Sequence, residues 1–182
     1  MKNLLCPERV FCFSPTVIFF NLCSPDTDSL ILSQTSLMTR IKIELPEKFS
    51  FETIIPIRIT DLNYGNHVGN DTILSILHEA RVQYLQYFGY GELDFGGLGL
   101  IMSDVAIEFK TEIFYGERII LSVTAGEFSR FAFEVYYKLE KENNAKKILV
   151  AIAKTGMVCY DYSAKKIAAI PGNVRNKLSG EF

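Results

Sequence analysis

The chain has 182 residues, of which 48% are hydrophobic and 22% charged, and its formal net charge is −2. This length and composition predict one globular domain that buries its own core, with room for a short appendage. The slight negative charge provides no basic surface for nucleic acid, so the sequence argues against nucleic-acid binding.

Four cysteines and two histidines limit the metal and redox chemistry that the chain can support. Three cysteines lie within the first 25 residues, Cys159 lies in an apolar run, and no C-x-x-C pattern occurs. The only histidines are His67 and His78, which is too few soft ligands for a typical zinc site. We therefore expect no metal, no cofactor and no disulfide framework, in a protein of the reducing cytoplasm.

Residues 1–37 differ in character from the rest of the chain. The apolar stretch 10–23 is interrupted by Ser14, Pro15 and Asn21, and it is shorter than the about 20 apolar residues that span a bilayer. A targeting segment is an alternative, although no small-residue cleavage site follows. We expect residues 1–37 to be an extension, either disordered or absent from the translated protein. The domain is expected to cover residues 38–182, without a membrane anchor.

The first predicted elements are a strand and a long helix. Residues 51–59 alternate with a period of two, and Pro56 within them indicates a sheet edge or a bulge. The turn-rich stretch 61–70 follows, and then a helix of about five turns with Asn70 as its N-cap and Gly89 at its C′ position. The apolar stripe of this helix contains Ile73, Ile76, Leu77, Ala80, Tyr84, Tyr87 and Phe88.

Four more strands are predicted over 100–110, 118–128, 131–141 and 148–160. The last is apolar on both faces, as expected of a central strand, and short turns between the last three indicate an antiparallel meander. The polar run 141–147 indicates a solvated hairpin turn between two of them. The order predicts an α+β fold in which one long helix packs on an antiparallel sheet of about five strands.

The turn before the helix reads DLNYGNHVGN over 61–70, and the helix then carries Glu-Ala-Arg at 79–81. With this strand order, the chain resembles the hotdog-fold acyl-CoA and acyl-carrier-protein thioesterases, including the 4-hydroxybenzoyl-CoA thioesterase group and the plant acyl-carrier-protein thioesterases. Their loop reads roughly D-x-D-x-x-G-H-V-x-N. The resemblance covers about residues 50–165. It implies a hotdog fold, a homodimer or homotetramer, and an acyl thioester bound between subunits beside this loop.

Two positions of the loop depart from the family pattern. Asn63 stands where many relatives carry a catalytic aspartate, and Gly65 stands where the plant enzymes carry an asparagine. Because an amide has no basicity near neutral pH, Asn63 is excluded as a general base or nucleophile. His67 is the candidate base, since free imidazole titrates near pH 6.5. Asp61 is expected to orient His67 or to act on water, although it also suits a structural Asx-turn.

Other residues have supporting roles in this hypothesis. Asn63 and Asn70 are expected to position the thioester carbonyl or the water, close to the backbone N–H groups of the helix N-terminus. Glu79 is a further catalytic candidate, because some hotdog thioesterases use a helix carboxylate. Asp104 is a substitute carboxylate or an outward-facing polar residue. The expected substrate-binding residues are Tyr64, Gly69, Asp71, Lys110, Ser129 and Arg130, with Lys110 and Arg130 placed to meet the phosphates of coenzyme A.

The leading functional hypothesis is therefore an enzyme that hydrolyses the thioester of an acyl-CoA or an acyl-carrier protein. A hydratase or dehydratase on the same fold is one alternative, although its motifs have different spacing. A non-catalytic acyl-CoA-binding hotdog module is the other, and the amide at Asn63 favours it. Turnover of an acyl-CoA panel distinguishes the three.

Overall fold

The computed structural model describes residues 41–143 and 146–180. The predicted extension 1–37 and the predicted start of the domain lie outside these residues. In chain order the elements are β1 (Phe51–Pro56), a 3-10 turn (Ile59–Asp61), α1 (Asn70–Tyr87), β2 (Gly99–Phe109), β3 (Arg118–Gly126), β4 (Ala132–Asn143), β5 (Lys146–Asp161), β6 (Lys166–Ile167) and α2 (Gly172–Ser179). Within the described ranges, no helix is long and apolar enough to cross a membrane.

The strands form one antiparallel sheet in the order β1-β3-β4-β5-β2, with the short β6 paired to β5. Strand β5 lies between β4 and β2, which confirms the prediction of a central strand. Strand β1 pairs only with β3 among the described strands, so it forms one edge of the sheet. Pro56 has no N–H to donate, and its place in an edge strand agrees with the prediction.

Helix α1 packs on one face of the sheet and supplies much of the core. Its buried residues are Ile73, Ile76, Leu77, Ala80, Arg81, Tyr84 and Leu85. The predicted stripe is correct except at its end, because Tyr87 is exposed while Arg81 and Leu85 are buried. Tyr87 lies in the last turn of the helix, where its ring centre is 5.4 Å from that of Phe51 and 5.0 Å from that of Phe88.

The two ends of α1 are defined by glycines. Gly69, rather than Asn70 as predicted, is the N-cap, because its backbone is extended and its carbonyl already accepts the N–H of Ile73 at 3.1 Å. Asn70 is therefore the first helical residue. At the other end Gly89 has φ +79°, and the N–H of Tyr90 reaches the carbonyl of Leu85 at 2.9 Å. This Schellman arrangement confirms the predicted C′ glycine.

Two features differ from the sequence-based expectations. Helix α2 and strand β6 were not predicted, and α2 buries Val174 and Leu178 against the core. Lys141, predicted to belong to a solvated turn, is instead the last inward-facing residue of β4 and is only 7% exposed. The β4–β5 hairpin itself is confirmed by its register, although residues 144 and 145 lie outside the described part of the chain.

Candidate active site

The loop between the 3-10 turn and α1 folds back on itself as a tight hairpin. Leu62 and Val68 form an antiparallel bridge, and the N–H of Asn63 donates to the carbonyl of His67 at 2.9 Å. The N–H of Asn66 donates to the carbonyl of Asn63 at 3.1 Å, and Asn66 itself has φ +62°. Asparagine tolerates this left-handed conformation better than most residues do. The hairpin places Asn63 and His67 directly opposite each other.

Backbone contacts fix the side chains of both residues. The Oδ1 atom of Asn63 accepts the N–H of Gly65 at 2.7 Å, so its NH₂ group is the half of the amide that remains to face a ligand. The Nδ1 atom of His67 lies 3.2 Å from the carbonyl oxygen of Val68. Because a carbonyl oxygen only accepts, Nδ1 carries the proton in this contact and Nε2 is the basic nitrogen.

Gly65 leaves the space in which these two side chains meet. A Cβ atom built on Gly65 would lie 2.9 Å from Nε2 of His67 and 3.1 Å from Oδ1 of Asn63. Both distances are shorter than ordinary carbon contacts, so any larger residue would displace the imidazole or the amide. The absence of a side chain at this position therefore belongs to the geometry of the site.

These side chains open onto a cavity of about 320 Å³, which we call the histidine pocket. It lies between the loop, the start of α1, and the segment that follows β2. Its lining includes four of the predicted site residues, Asn63, His67, Asn70 and Lys110. The remaining lining residues are Val68, Ile73, Phe109, Thr111, Glu112, Ile113, Val150 and Ala151. The pocket therefore joins a polar rim to an apolar interior.

Glu112 is the acidic residue that lines the histidine pocket, and it was not among the predicted site residues. No described residue makes a hydrogen bond or an ion pair with its side chain. Its backbone, however, is held firmly. The carbonyl of Glu112 accepts the Nζ ammonium of Lys141 at 2.8 Å, and the carbonyl of Ile113 accepts the N–H of Val68 at 2.9 Å. The 112–113 segment is thus attached directly to the loop that carries His67.

Asp61 lies apart from His67, in a second cavity of about 450 Å³ that we call the Asp61 groove. The Asp61 carboxylate accepts the backbone N–H of Arg58 at 2.7 Å and the Nη2 group of Arg58 at 3.0 Å. Burial alone would raise the pKa of Asp61, but the hydrogen bonds and charge of Arg58 outweigh burial and lower it. Glu79 also lines this groove, where it accepts the side-chain amide of Gln83.

Three other predicted residues lie in the loop or at the start of α1: Tyr64 and Asp71 are exposed, and Gly69 is buried. Tyr64 is fully exposed at the hairpin tip. The carboxylate of Asp71 folds back over Gly69, since a Cβ on that glycine would lie 2.3 Å from its Oδ1 atom. Gly69 therefore serves close packing at the helix start. None of the three lines the histidine pocket.

Ser129 and Arg130 belong to the turn between β3 and β4. The backbone carbonyl of Ser129 accepts Nη1 of Arg175 from α2, and the Arg130 guanidinium lies 5.0 Å from the ring centre of Phe131. The structure does not bring this turn to the histidine pocket of the same chain. Asp104 is exposed on edge strand β2, where it accepts the hydroxyl of Ser103 at 2.8 Å, and it lines neither cavity.

The Glu-Ala-Arg motif of α1 divides between surface and core. Glu79 is exposed, whereas Arg81 is 5% exposed and donates to the carboxylate of Glu92 at 2.7 Å. Its guanidinium also reaches the Tyr137 hydroxyl at 3.5 Å, which in turn lies 3.0 Å from the Thr155 hydroxyl. This buried network joins α1 to β4 and β5, so Arg81 has a structural role. In the described part of the chain, no cluster of three or more potential ligands is placed to hold a metal.

The chain is similar to known thioesterases and CoA hydrolases. A protein from Microcystis aeruginosa, a 1,4-dihydroxy-2-naphthoyl-CoA hydrolase, is 32% identical over 109 residues, which cover 58% of this chain and 76% of the relative. A 1,4-dihydroxy-2-naphthoyl-CoA thioesterase from Synechocystis superposes with a TM-score of 0.64 at 21% identity, covering 72% of this chain and 96% of that one.

A further solved structure, a 4-hydroxybenzoyl-CoA thioesterase variant in complex with 4-hydroxybenzoyl-CoA, has a TM-score of 0.64 at 15% identity. It covers 70% of this chain and 97% of its own. These likenesses confirm the predicted hotdog fold, with its α+β arrangement of a helix and an antiparallel sheet. The model of the thioesterase-like superfamily matches residues 57–178. With two-thirds of its length matched by that model, the chain belongs to the thioesterase-like superfamily.

Proposed function

We propose that the protein hydrolyses the thioester of an aromatic acyl-CoA in the histidine pocket. The observation that carries this proposal is the arrangement of His67: its Nδ1–H is held by a carbonyl oxygen, and its Nε2 atom is left as an acceptor at the pocket. Glu112 lines the same pocket and its side chain is exposed. We propose that its carboxylate offsets the positive charge that forms on the imidazole. The carbonyl of Val68 takes the orienting role that the sequence suggested for Asp61.

In the proposed reaction, the thioester carbonyl faces the first turn of α1. Asn70 lines the pocket, and its backbone N–H precedes the first intrahelical bond, so it can receive the oxyanion. His67 Nε2 removes a proton from water while the water oxygen forms a bond to the carbonyl carbon. The tetrahedral intermediate then breaks its C–S bond and releases the coenzyme A thiolate. The imidazolium returns its proton to that thiolate, which leaves a carboxylic acid and free thiol.

Two other pocket residues have supporting roles. The NH₂ group of Asn63 can donate to the carbonyl or to the water, because its Oδ1 atom already accepts from Gly65. Lys110 stands at the polar rim, and its ammonium is 2.6 Å from the Glu108 carboxylate. An incoming phosphate would compete with Glu108 for this cation, so Lys110 is expected to affect KM more than kcat.

The proposed substrate class rests on the relatives and on the pocket interior. The Microcystis relative is named for a bicyclic aromatic acyl-CoA. The interior wall in this chain is formed by Ile73, Phe109, Ile113 and Val150, and the cavity of about 320 Å³ has room for a planar ring system. Coenzyme A is favoured over an acyl-carrier protein as the carrier, because the relative and the neighbours described above are named for CoA thioesters.

A panel of thioesters tests the proposal. Release of free thiol would be followed with 1,4-dihydroxy-2-naphthoyl-CoA, 4-hydroxybenzoyl-CoA, palmitoyl-CoA and palmitoyl-acyl-carrier protein. We expect the aromatic CoA esters to give the highest kcat/KM. We expect Glu112→Gln to lower kcat by about 10²-fold, since it removes the charge that is proposed to stabilise the imidazolium. Binding of these esters without thiol release would instead favour the non-catalytic acyl-CoA-binding module.

We also propose that the protein is at least a homodimer. Strand β2 is the second edge of the described sheet, and it exposes Ile101, Val105 and Phe109 by 39, 38 and 55%. An exposed apolar edge strand favours pairing with another strand. Phe109 also lines the histidine pocket, so a partner paired along β2 would lie beside the site. Sedimentation at micromolar concentration should give a dimer or a tetramer, and a monomer would contradict the proposal.

A further inference from the structure

Lys141 is a buried cation that has no place in the proposed reaction. Its side chain is 9% exposed at the end of β4. Three oxygen atoms surround its ammonium: the backbone carbonyl of Glu112 at 2.8 Å, and the two carboxylate oxygens of Glu117 at 2.8 and 2.9 Å. An ammonium group has three N–H donors, so these oxygens match its full donor capacity.

The contacts of Lys141 extend to the histidine pocket along the backbone. Besides binding Lys141, the Glu117 carboxylate accepts the N–H of Phe114 at 2.9 Å. The segment from Glu112 to Glu117 is therefore held at its first residue, at Phe114 and at its last residue. Between these points, Ile113 accepts the N–H of Val68, the residue next to His67, at 2.9 Å. No described strand pairs along this segment. Its far end is also held by Ile57, whose N–H donates to the carbonyl of Glu117 at 2.9 Å, and Ile113 is buried. At Glu112 itself, Lys141 supplies the described hydrogen bond to the backbone carbonyl.

We infer that Lys141 is a positioning residue for the active site: it fixes the backbone of Glu112, the residue whose carboxylate is proposed to act in the histidine pocket. A carboxylate that must lie beside an imidazole gains from a backbone that cannot drift, since small displacements of a catalytic group lower turnover strongly. The inference rests on the proposed role of Glu112. Lys141 lies 29 positions after Glu112 in the chain, so the position of Glu112 would depend on a long-range contact.

A double-mutant cycle tests this inference with the full-length protein and its preferred CoA thioester. Lys141→Met removes the donors and keeps most of the side-chain volume. We expect it to lower kcat by roughly tenfold and to change KM less than twofold, because Lys141 is not expected to touch the substrate. In the Glu112→Gln background, Lys141→Met should change the residual kcat by less than about twofold, because the carboxylate that it positions is already absent.

Lys138→Met is the matched control. Lys138 also lies on β4 and pairs with a glutamate, Glu140, at 3.2 Å, but it lines neither the histidine pocket nor the Asp61 groove. This variant should retain the wild-type kcat in both backgrounds. If Lys141→Met prevents folding, Glu117→Gln weakens the same cluster while keeping the side-chain size, and it enters the same cycle.

The outcomes separate the inference from the proposed function. Equal losses of kcat from Lys141→Met in the wild-type and Glu112→Gln backgrounds would overturn the inference, because Lys141 would then act on the structure in general. A wild-type kcat in Lys141→Met would also overturn it. If the wild type releases thiol but Glu112→Gln is fully active, the hydrolysis stands and the positioning of Glu112 is refuted. If the wild type releases no thiol from any ester, the proposed function itself fails.

Discussion

The histidine pocket and the Asp61 groove are both lined by residues of the loop 61–70 and of helix α1. They differ in the hydrogen bonding of one acidic residue in each, Glu112 and Asp61. Asp61 is 5% exposed and tied to Arg58 by hydrogen bonds that lower its pKa. Glu112 is exposed and no described residue bonds its side chain. A carboxylate whose oxygens already accept hydrogen bonds from a cation is a poor proton acceptor for a reaction. The availability of a group, and not only its presence in a motif, therefore decides its role.

Replacing His67 by alanine should have the largest effect. The change removes the basic Nε2 atom from the pocket, and losing a positioned acid–base group lowers kcat by roughly 10²–10⁴-fold. KM should change little, because His67 meets the reacting carbonyl and not the distant parts of the substrate. His78→Ala is the control, since that histidine is exposed and pairs with Glu92. Steady-state release of thiol measures the kcat of both variants. A fully active His67→Ala protein would show that the reaction does not take place in this pocket.

Gly65→Ala should produce an intermediate defect confined to the histidine pocket. The added methyl would lie 2.9 Å from His67 Nε2, so the imidazole must move. We expect kcat to fall by roughly tenfold, because a displacement of this kind disrupts a reactive geometry. Gly172→Ala is the matched control, since a Cβ there meets no atom within 4 Å. A Gly65→Ala enzyme with wild-type kcat would show that the imidazole adjusts without loss.

Asp61→Asn should lower the stability of the protein and leave kcat nearly unchanged. The amide keeps an acceptor for the N–H of Arg58 but loses the charge that the Arg58 guanidinium bonds. We expect Tm to fall by roughly 5 °C at pH 7 and kcat to stay within about threefold of wild type. Glu112→Gln is the contrasting variant, with the larger loss in kcat and little change in Tm.

The pH dependence of this stability difference has a defined sign. The folded protein holds the pKa of Asp61 below its usual value, so the charged form is favoured by folding. The stabilisation is fully present above the usual aspartate pKa of about 4, and it is lost as the pH falls through the lower folded value. The Tm difference between wild type and Asp61→Asn should therefore be constant near neutrality and shrink below about pH 4. A difference that grows on acidification would contradict this account.

Much of the fold follows from short-range patterns in the sequence. Alternation over residues 51–59 and the apolar stripe of α1 predicted those elements, and Gly89 predicted the helix end. Helix α2 was not predicted because it has eight residues and buries two of them, Val174 and Leu178, which are too few to form a periodic signal. Tyr87 was assigned to the core because periodicity gives the direction of a side chain around the helix. It does not give the depth to which that side chain is buried, and Tyr87 is exposed.

The site was less accessible to sequence reasoning than the fold. The loop motif pointed to His67 and Asn63, and both line the histidine pocket. Glu112 was missed because its place depends on long-range contacts, from Ile113 to Val68 and from Lys141 to its own carbonyl. Lysine is rarely buried, so Lys141 beside a polar run suggested a surface turn. Contacts between residues far apart in the chain, such as these, produce no periodic pattern in the sequence.

Asn63→Asp should have the smallest effect on its own and the most informative effect in combination. The aspartate keeps an oxygen to accept the N–H of Gly65, so the hairpin should be preserved. Its second oxygen replaces the NH₂ group and brings a negative charge near His67, where many relatives of this fold carry an aspartate. The loss of a donor and the gain of a charge oppose each other, so we expect kcat within about threefold of wild type.

The informative experiment places Asn63→Asp in the Glu112→Gln background. If the pocket requires one carboxylate near the imidazole and accepts it from either wall, the double variant should recover about tenfold of the turnover that Glu112→Gln loses. Asn63→Gln is the control, because it keeps the amide and adds no charge. A double variant as inactive as Glu112→Gln would show that the charge acts only from the 112–113 segment. A hundredfold loss in Asn63→Asp alone would show instead that the Asn63 amide donor is essential for turnover.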